Sequence, residues 1–152
     1  MWIYLNNYST AGGTGVTKET TYKVGTRDNK KIEIRIALVG GDWAAAFVYG
    51  NTDVPLQSWH HIAATYDSAS GQTYVYLDGK EDGAGKFSGK ISTTTNVMWI
   101  GRGAAPFFDG IYDEVSIWNT VLSKDEIIQA SLSLSAVEFR GKLSATWGRM
   151  KL

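Results

Sequence analysis

The sequence predicts an all-β protein, an antiparallel two-sheet sandwich of the jelly-roll kind with one short helix near its C-terminus. Two strand-like runs, Trp59 to Asp67 and Thr73 to Asp78, flank the small polar stretch Ser68-Ala69-Ser70-Gly71-Gln72. That arrangement reads as a hairpin, with Gly71 free to take a positive φ. Lys31 to Leu38 alternates cleanly: Ile32, Ile34, Ile36 and Leu38 on one side, Lys31, Glu33, Arg35 and Ala37 on the other. Seventeen glycines against two prolines suit many tight turns between strands at short, even spacing.

In chain order, Trp2 to Leu5 is a strand and Asn6 to Gly15 a loop by composition. Gly15 to Lys18 and Thr21 to Thr26 are short strands, and Asp28-Asn29-Lys30 turns the chain into Lys31 to Leu38. Gly40-Gly41-Asp42 leads to a strand over Trp43 to Tyr49, and Gly50 to Gln57 is a loop carrying Pro55. In the hairpin's second strand Val75 and Leu77 face the core, while Tyr74, Tyr76 and Asp78 face a partly wet surface. Gly79 to Gly89 is glycine- and charge-rich, with no strand assigned to it. Strands follow near Lys90 to Ser92, Val97 to Gly101 and Ile111 to Trp118, with a loop over Arg102 to Pro106. Ser123-Lys124-Asp125-Glu126 is a capping box, which starts a helix from about Lys124 to Ala130. Taken whole, the tail from Leu132 has no clean period and ends basic. The sandwich is thus assigned to residues 1–131 and a C-terminal extension to 132–152.

Composition bounds the function. A chain of 152 residues buries a real core in one domain. Fifteen basic and fifteen acidic residues cancel, which gives no electrostatic case for nucleic acid or for an anionic membrane. No apolar run approaches about 18 residues, so no membrane insertion is expected. Cysteine is absent, which excludes disulfides and thiolate metal sites. MWIYLNNYST lacks the basic-then-apolar order of a signal peptide and reads as a strand that begins at once, as if inside a fold. Asn7-Tyr8-Ser9 fits a glycosylation sequon, a pattern common by chance.

The run Phe108 to Ile127, FDGIYDEVSIWNTVLSKDEI, is more specific than any periodicity. It resembles the closing strand and short helix of the laminin-G-like, concanavalin A-like lectin/glucanase group, with Tyr112 where an aliphatic residue is usual. WHHIAATYD, from Trp59, and YLDG, ending at Gly79, resemble the same group. So do Ile100-Gly101-Arg102 and Trp2-Ile3, and the match runs from about Trp2 to Ala130. The resemblance implies a jelly-roll sandwich and a binding module, extracellular or on the cell surface. It also implies two further strands ahead of Trp2, one of them beside the closing strand, which this chain starts without. The strand Ile111 to Trp118 is then an open apolar edge, to be met by an oligomer contact or by the tail, Ala136 to Leu152.

His60 and His61 are adjacent on a strand and point to opposite faces, so they do not chelate one metal together, and packing is their expected role. Glycoside hydrolysis needs two carboxylates about 5–10 Å apart across a cleft. Asp113 and Glu114 are adjacent and diverge, and Glu81 and Asp82 share a turn, so no enzyme is expected. By resemblance, Asp113 is a candidate ligand of a structural calcium, which wants six to eight oxygens. Flat aromatic faces and planar hydrogen bonders recognise sugars. Trp43, Tyr74 and Tyr76 supply the first, and Arg35 and Arg102, with Glu33, the second. The leading expectation is a carbohydrate or glycosylated protein as partner. A structural or adhesive interaction domain is the alternative, and a degenerate glycoside hydrolase the third.

Overall fold

A computed structural model describes residues 1–8, 14–43, 46–102 and 109–133. The strands are β1 (Trp2–Leu5), β2 (Thr14–Lys18), β3 (Tyr22–Thr26), β4 (Ile32–Ile36) and β5 (Ala46–Tyr49). They continue as β6 (Trp59–Tyr66), β7 (Gln72–Leu77), β8 (Lys80–Lys86), β9 (Met98–Ile100) and β10 (Gly110–Asp113), and the helix α1 (Lys124–Ser133) follows. Two antiparallel sheets of five strands result, ordered β10-β1-β6-β7-β8 and β5-β4-β3-β2-β9. The all-β jelly-roll sandwich with one short C-terminal helix is what the sequence predicts.

The alternation in β4 sets the layers. Ile32, Ile34 and Ile36 are buried between the sheets, where they meet Ile3, Leu5, Ile62 and Val75 from the other side. Burying one such side chain stabilises the fold by about 1.5–3 kcal/mol. The predicted hairpin forms as β6 and β7, with Gly71 at φ 76°. The helix carries its capping box. The Ser123 amide donates to Glu126 Oε2 at 2.7 Å, and the Glu126 amide donates to Ser123 Oγ at 3.3 Å. The helix runs to Ser133, three residues past the expected end and two into the assigned extension.

Several boundaries move, each for a physical reason. Glu81 and Asp82 lie in a strand and not in a turn: Asp78 and Gly79, at φ 51° and 74°, make a two-residue hairpin turn into β8. Asp-Gly is a strong hairpin signal, and the charges of this stretch lie on an edge strand. The glycines of β8 have a packing role. A Cβ at Gly83 would lie 2.3 Å from the Tyr49 carbonyl oxygen, and one at Gly85 would lie 2.6 Å from Val48 Cγ2. Bare backbone there brings β8 close against β5 of the opposite sheet. The closing strand stops at Asp113, short of Trp118, because Glu114 takes a positive φ of 49°. The expected long apolar edge over Ile111 to Trp118 is therefore only four residues of strand, paired to β1. The strand before the hairpin begins at Ala46, not Trp43, and Lys90 to Ser92 is reduced to a single bridge, Leu38 to Ile91. The tail from Leu134, expected to shield an edge, lies outside the described residues.

Candidate functional site

The alternation that buries the isoleucines of β4 sends Glu33 and Arg35 to the outer face of the sheet β5-β4-β3-β2-β9. Strand register then builds two rows across it. Trp99, Thr17, Lys23, Arg35 and Phe47 are successive cross-strand partners, and Gly25, Glu33 and Tyr49 form the row beside them. At about 4.8 Å between neighbouring strands, the first row spans roughly 19 Å.

Charge is concentrated at the centre. Glu33 is fully buried, and three cations surround its carboxylate. Arg35 donates to Oε1 from Nε at 3.0 Å and from Nη2 at 2.6 Å, and Arg27 Nη1 donates to the same oxygen at 3.2 Å. Lys23 Nζ lies 3.7 Å from Oε2. Burial draws the Lys23 ammonium below the usual lysine range, with the attraction of Glu33 working against that and the neighbouring Arg35 and Arg27 adding to it. Aromatic rings flank the cluster. The Arg102 guanidinium sits 4.0 Å from the Trp99 ring centre, close stacking for a cation on a π face. At the other end Phe47 and Tyr49 are 5.2 Å apart, with Arg35 over Phe47 at 5.7 Å and Arg27 over Tyr49 at 6.0 Å. The face thus offers a flat ring at each end and fixed guanidinium groups along it.

The residues singled out from the sequence do not all meet here. Arg35 and Arg102 lie on this face. Tyr74 and Tyr76 belong to β7 of the other sheet and point away from its core, on the opposite side of the molecule. Tyr76, expected to be wet, is only 5% exposed and rests beside Ala63 and Tyr74. Trp43 is half-buried in the turn ahead of β5. Glu33, expected to bond a ligand, is sequestered by its own cations. Trp99, Lys23, Phe47 and Tyr49 went unrecognised from the sequence. Trp99 alternates with Met98 and Ile100, but only the pairing of β9 with β2 shows which face it shares.

His61 is buried, as expected of a packing residue, with its ring edge-on to Trp2 at 5.6 Å. Burial holds its pKa down to about 4, the Met1 ammonium adding to the effect and Asp78 opposing it. His60 bridges Ser58 and Asp78 at 2.8 Å each. Asp113, the calcium candidate, ends β10. Asp113 Oδ1 accepts from the Glu114 amide at 2.8 Å, and among the described residues no three His, Asp or Glu side chains converge to hold a metal. No described helix is long and apolar enough to cross a membrane.

Comparison with known proteins places this architecture. A protein from Bacteroides ovatus named for carbohydrate binding superposes with a TM-score of 0.70 at 18% identity, covering 84% of this chain and 38% of that one. The heptameric SAP-like pentraxin of Limulus polyphemus superposes at 0.62 and 14% identity, over 93% of this chain and 70% of that one. At these identities the likeness is one of fold. The Rattus norvegicus protein "Sushi, von Willebrand factor type A, EGF and pentraxin domain-containing protein 1" is 29% identical over 98 residues, 57% of this chain. The matched region is 3% of that relative's length. The model of a laminin-G-type family, described as the concanavalin A-like lectin/glucanases superfamily, matches residues 1–128. The closing strand, the helix cap and the sheet order agree with that match, and the chain belongs to this laminin-G-type family of the concanavalin A-like superfamily.

Proposed function

We propose that the protein is a non-catalytic binding module which recognises carbohydrate, free or on a glycoprotein, on the outer face of β5-β4-β3-β2-β9. The observation that carries this reading is the stacked Trp99–Arg102 pair, which opens a row running through Lys23 and Arg35 to Phe47. Sugar rings present C–H patches to flat aromatic faces and hydroxyls to planar donors, and the row supplies both. Lys23, Arg27, Arg35 and Arg102 outnumber the carboxylates of Glu33 and Asp28 around them, which favours glycans bearing carboxylate or sulfate groups. Glu33 is committed to three cations, which fits positioning and not acid–base catalysis. The carbohydrate-binding name of the Bacteroides ovatus neighbour supports the same reading. Laminin-G-type and sushi domains typically work outside the cell, and we place this module there. The second reading, protein docking, is favoured by the apolar exposure of Ile117, Trp118 and Val121.

The test is a glycan array followed by calorimetry on acidic and neutral oligosaccharides. Trp99→Ala and Arg35→Gln are each expected to weaken binding about 10-fold or more, since removing a stacking or charge-assisted contact typically costs that much. Tyr74→Phe, on the opposite sheet, should leave binding unchanged. Absence of binding to every glycan, or full binding by Trp99→Ala, would overturn the reading.

A further inference from the structure

Alternation and a turn bring Ser58, His60 and Asp78 into one line. Ser58 and His60 are two residues apart at the start of β6, so their side chains leave the chain on the same face. Asp78 reaches them from the turn between β7 and β8. Ser58 Oγ lies 2.8 Å from His60 Nε2, and His60 Nδ1 lies 2.8 Å from Asp78 Oδ2. The other carboxylate oxygen, Oδ1, accepts from the His61 amide at 2.8 Å, so backbone fixes the acid. An ionised carboxylate only accepts, so Nδ1 carries the ring's proton and Nε2 of the neutral ring is left as an acceptor. The Ser58 hydroxyl then donates to Nε2, its 3.3 Å contact with the Leu56 carbonyl being the weaker of the two. Hydroxyl, base and orienting acid in this order make an activated nucleophile, which is recognised by geometry and not by sequence spacing. We propose that Ser58 is such a nucleophile, a covalent site at which small carboxylic esters acylate the protein.

Two backbone features at the same spot point the same way. Gln57 and Asp78 hold φ at 58° and 51°, positive values at residues other than glycine. Such strain gathers where a site is held in place, and it sets Ser58 directly after a sharp bend, as nucleophiles on strained turns are set. The second feature is the Trp59 amide. His61 turns its amide and carbonyl toward Asp78, and Trp59, two residues back, turns its amide the same way. β7 ends at Leu77, and among the described residues no strand continues opposite Trp59 on that side. The amide after the nucleophile is one place where acyl-transfer sites hold the developing oxyanion.

The chemistry balances within the relay. Ser58 Oγ attacks the ester carbonyl carbon while its proton passes to His60 Nε2, and Asp78 holds the imidazolium. The tetrahedral intermediate collapses, the bond to the alcohol oxygen breaks, and His60 gives the proton to that oxygen. The products are acyl-Ser58 and the free alcohol. The His60 side chain is 15% exposed and Ser58 is partly buried, so only a small acyl group reaches Oγ. A single amide donor is fewer than the pair that serine hydrolases aim at the oxyanion, and losing one costs about 100-fold or more in rate. Ser58 is therefore a stoichiometric acceptor, which agrees with a module that turns over no substrate. It also belongs to the other sheet from the row of Trp99 to Phe47.

The test uses p-nitrophenyl acetate on the full chain, with release of p-nitrophenolate followed by absorbance and the acetyl group located by peptide mass mapping. Acetylation of Ser58 is expected, with the exposed Ser68 left unlabelled. His60→Gln and Asp78→Asn should each slow labelling of Ser58 about 100-fold or more, the usual contribution of a general base and of the acid that orients it. Ser58→Cys keeps a nucleophile in place and should move the acetyl group to sulfur. Labelling of Ser58 should also disappear when the unmodified chain is unfolded in urea, a comparison that rests on no variant. Acetyl groups confined to lysines or to the N-terminus would overturn the proposal. So would labelling of Ser58 that persists in urea, or a His60→Gln rate equal to that of the unmodified chain.

Discussion

Replacing Glu33 by glutamine isolates what one buried carboxylate does for a whole face. The substitution keeps shape and removes charge, leaving Lys23, Arg27 and Arg35 crowded together with only Asp28, on the outer side of Arg27, as a counter-charge. Removing one partner of a buried ion pair costs about 3–5 kcal/mol. The low end applies here, because the side chains of Lys23, Arg35 and Arg27 keep 14%, 17% and 29% exposure, and solvent takes up part of the stranded charge. A loss of about 3 kcal/mol should lower Tm by roughly 6–12 °C in a domain of this size. Urea titration at neutral pH measures it, with the slope m unchanged if the unfolded state is unaffected. Arg35 donates two of the bonds to Oε1, so Glu33→Gln and Arg35→Gln should be strongly non-additive in a double-mutant cycle. A loss below 1 kcal/mol, or additive singles, would mean that water already shares the cluster.

The remaining predictions concern pH, packing and capping. Burial holds His61 near pKa 4 against an ordinary 6.5, so the folded state keeps it neutral while the unfolded state takes up a proton. Its contribution is fully present above about pH 6.5 and is lost as pH falls towards 4, by up to about 3 kcal/mol. His61→Phe should shrink the stability difference between pH 7 and pH 4.5 in urea titrations, and an unchanged difference would refute the assignment. Gly83→Ala should destabilise by about 1–3 kcal/mol, since its Cβ meets the Tyr49 carbonyl oxygen and backbone yields poorly; an unchanged Tm would count against the close contact. Ser123→Ala should cost about 1 kcal/mol by removing half of the capping box, read as lost helical circular dichroism and a lower urea midpoint.

Where local chemistry decides, the sequence was a good guide. The β4 alternation, the Gly71 turn and the Ser123–Glu126 cap are each set by residues a few positions apart, and each stands in the fold. The errors arose where a distant strand decides. Tyr76 alternates outward with Tyr74, yet packing beside Ala63 and Tyr74 on its sheet leaves it almost no solvent. Glu33 and Arg35 read as two ligand-facing polar groups, and Lys23 and Arg27, supplied across and beyond β3, turn one of them inward. Trp99 could be seen as a strand residue but not as a neighbour of Thr17. Arg35, Arg102 and Glu33 were therefore legible on the candidate face, and the partners that sheet order brings beside them were not.

The glycines of β8 have a further mechanical consequence. Gly83 sets backbone directly against the Tyr49 carbonyl and Gly85 leaves room only for Val48 and Phe87, so that border is tightly packed and tolerates little added volume. At the opposite border Met98 and Ile100 point inward yet stay 43% and 51% exposed, so the layers there stand apart. A ligand spanning the row would therefore bridge a tightly packed border, beside Phe47 and Tyr49, and a more exposed one, beside Trp99.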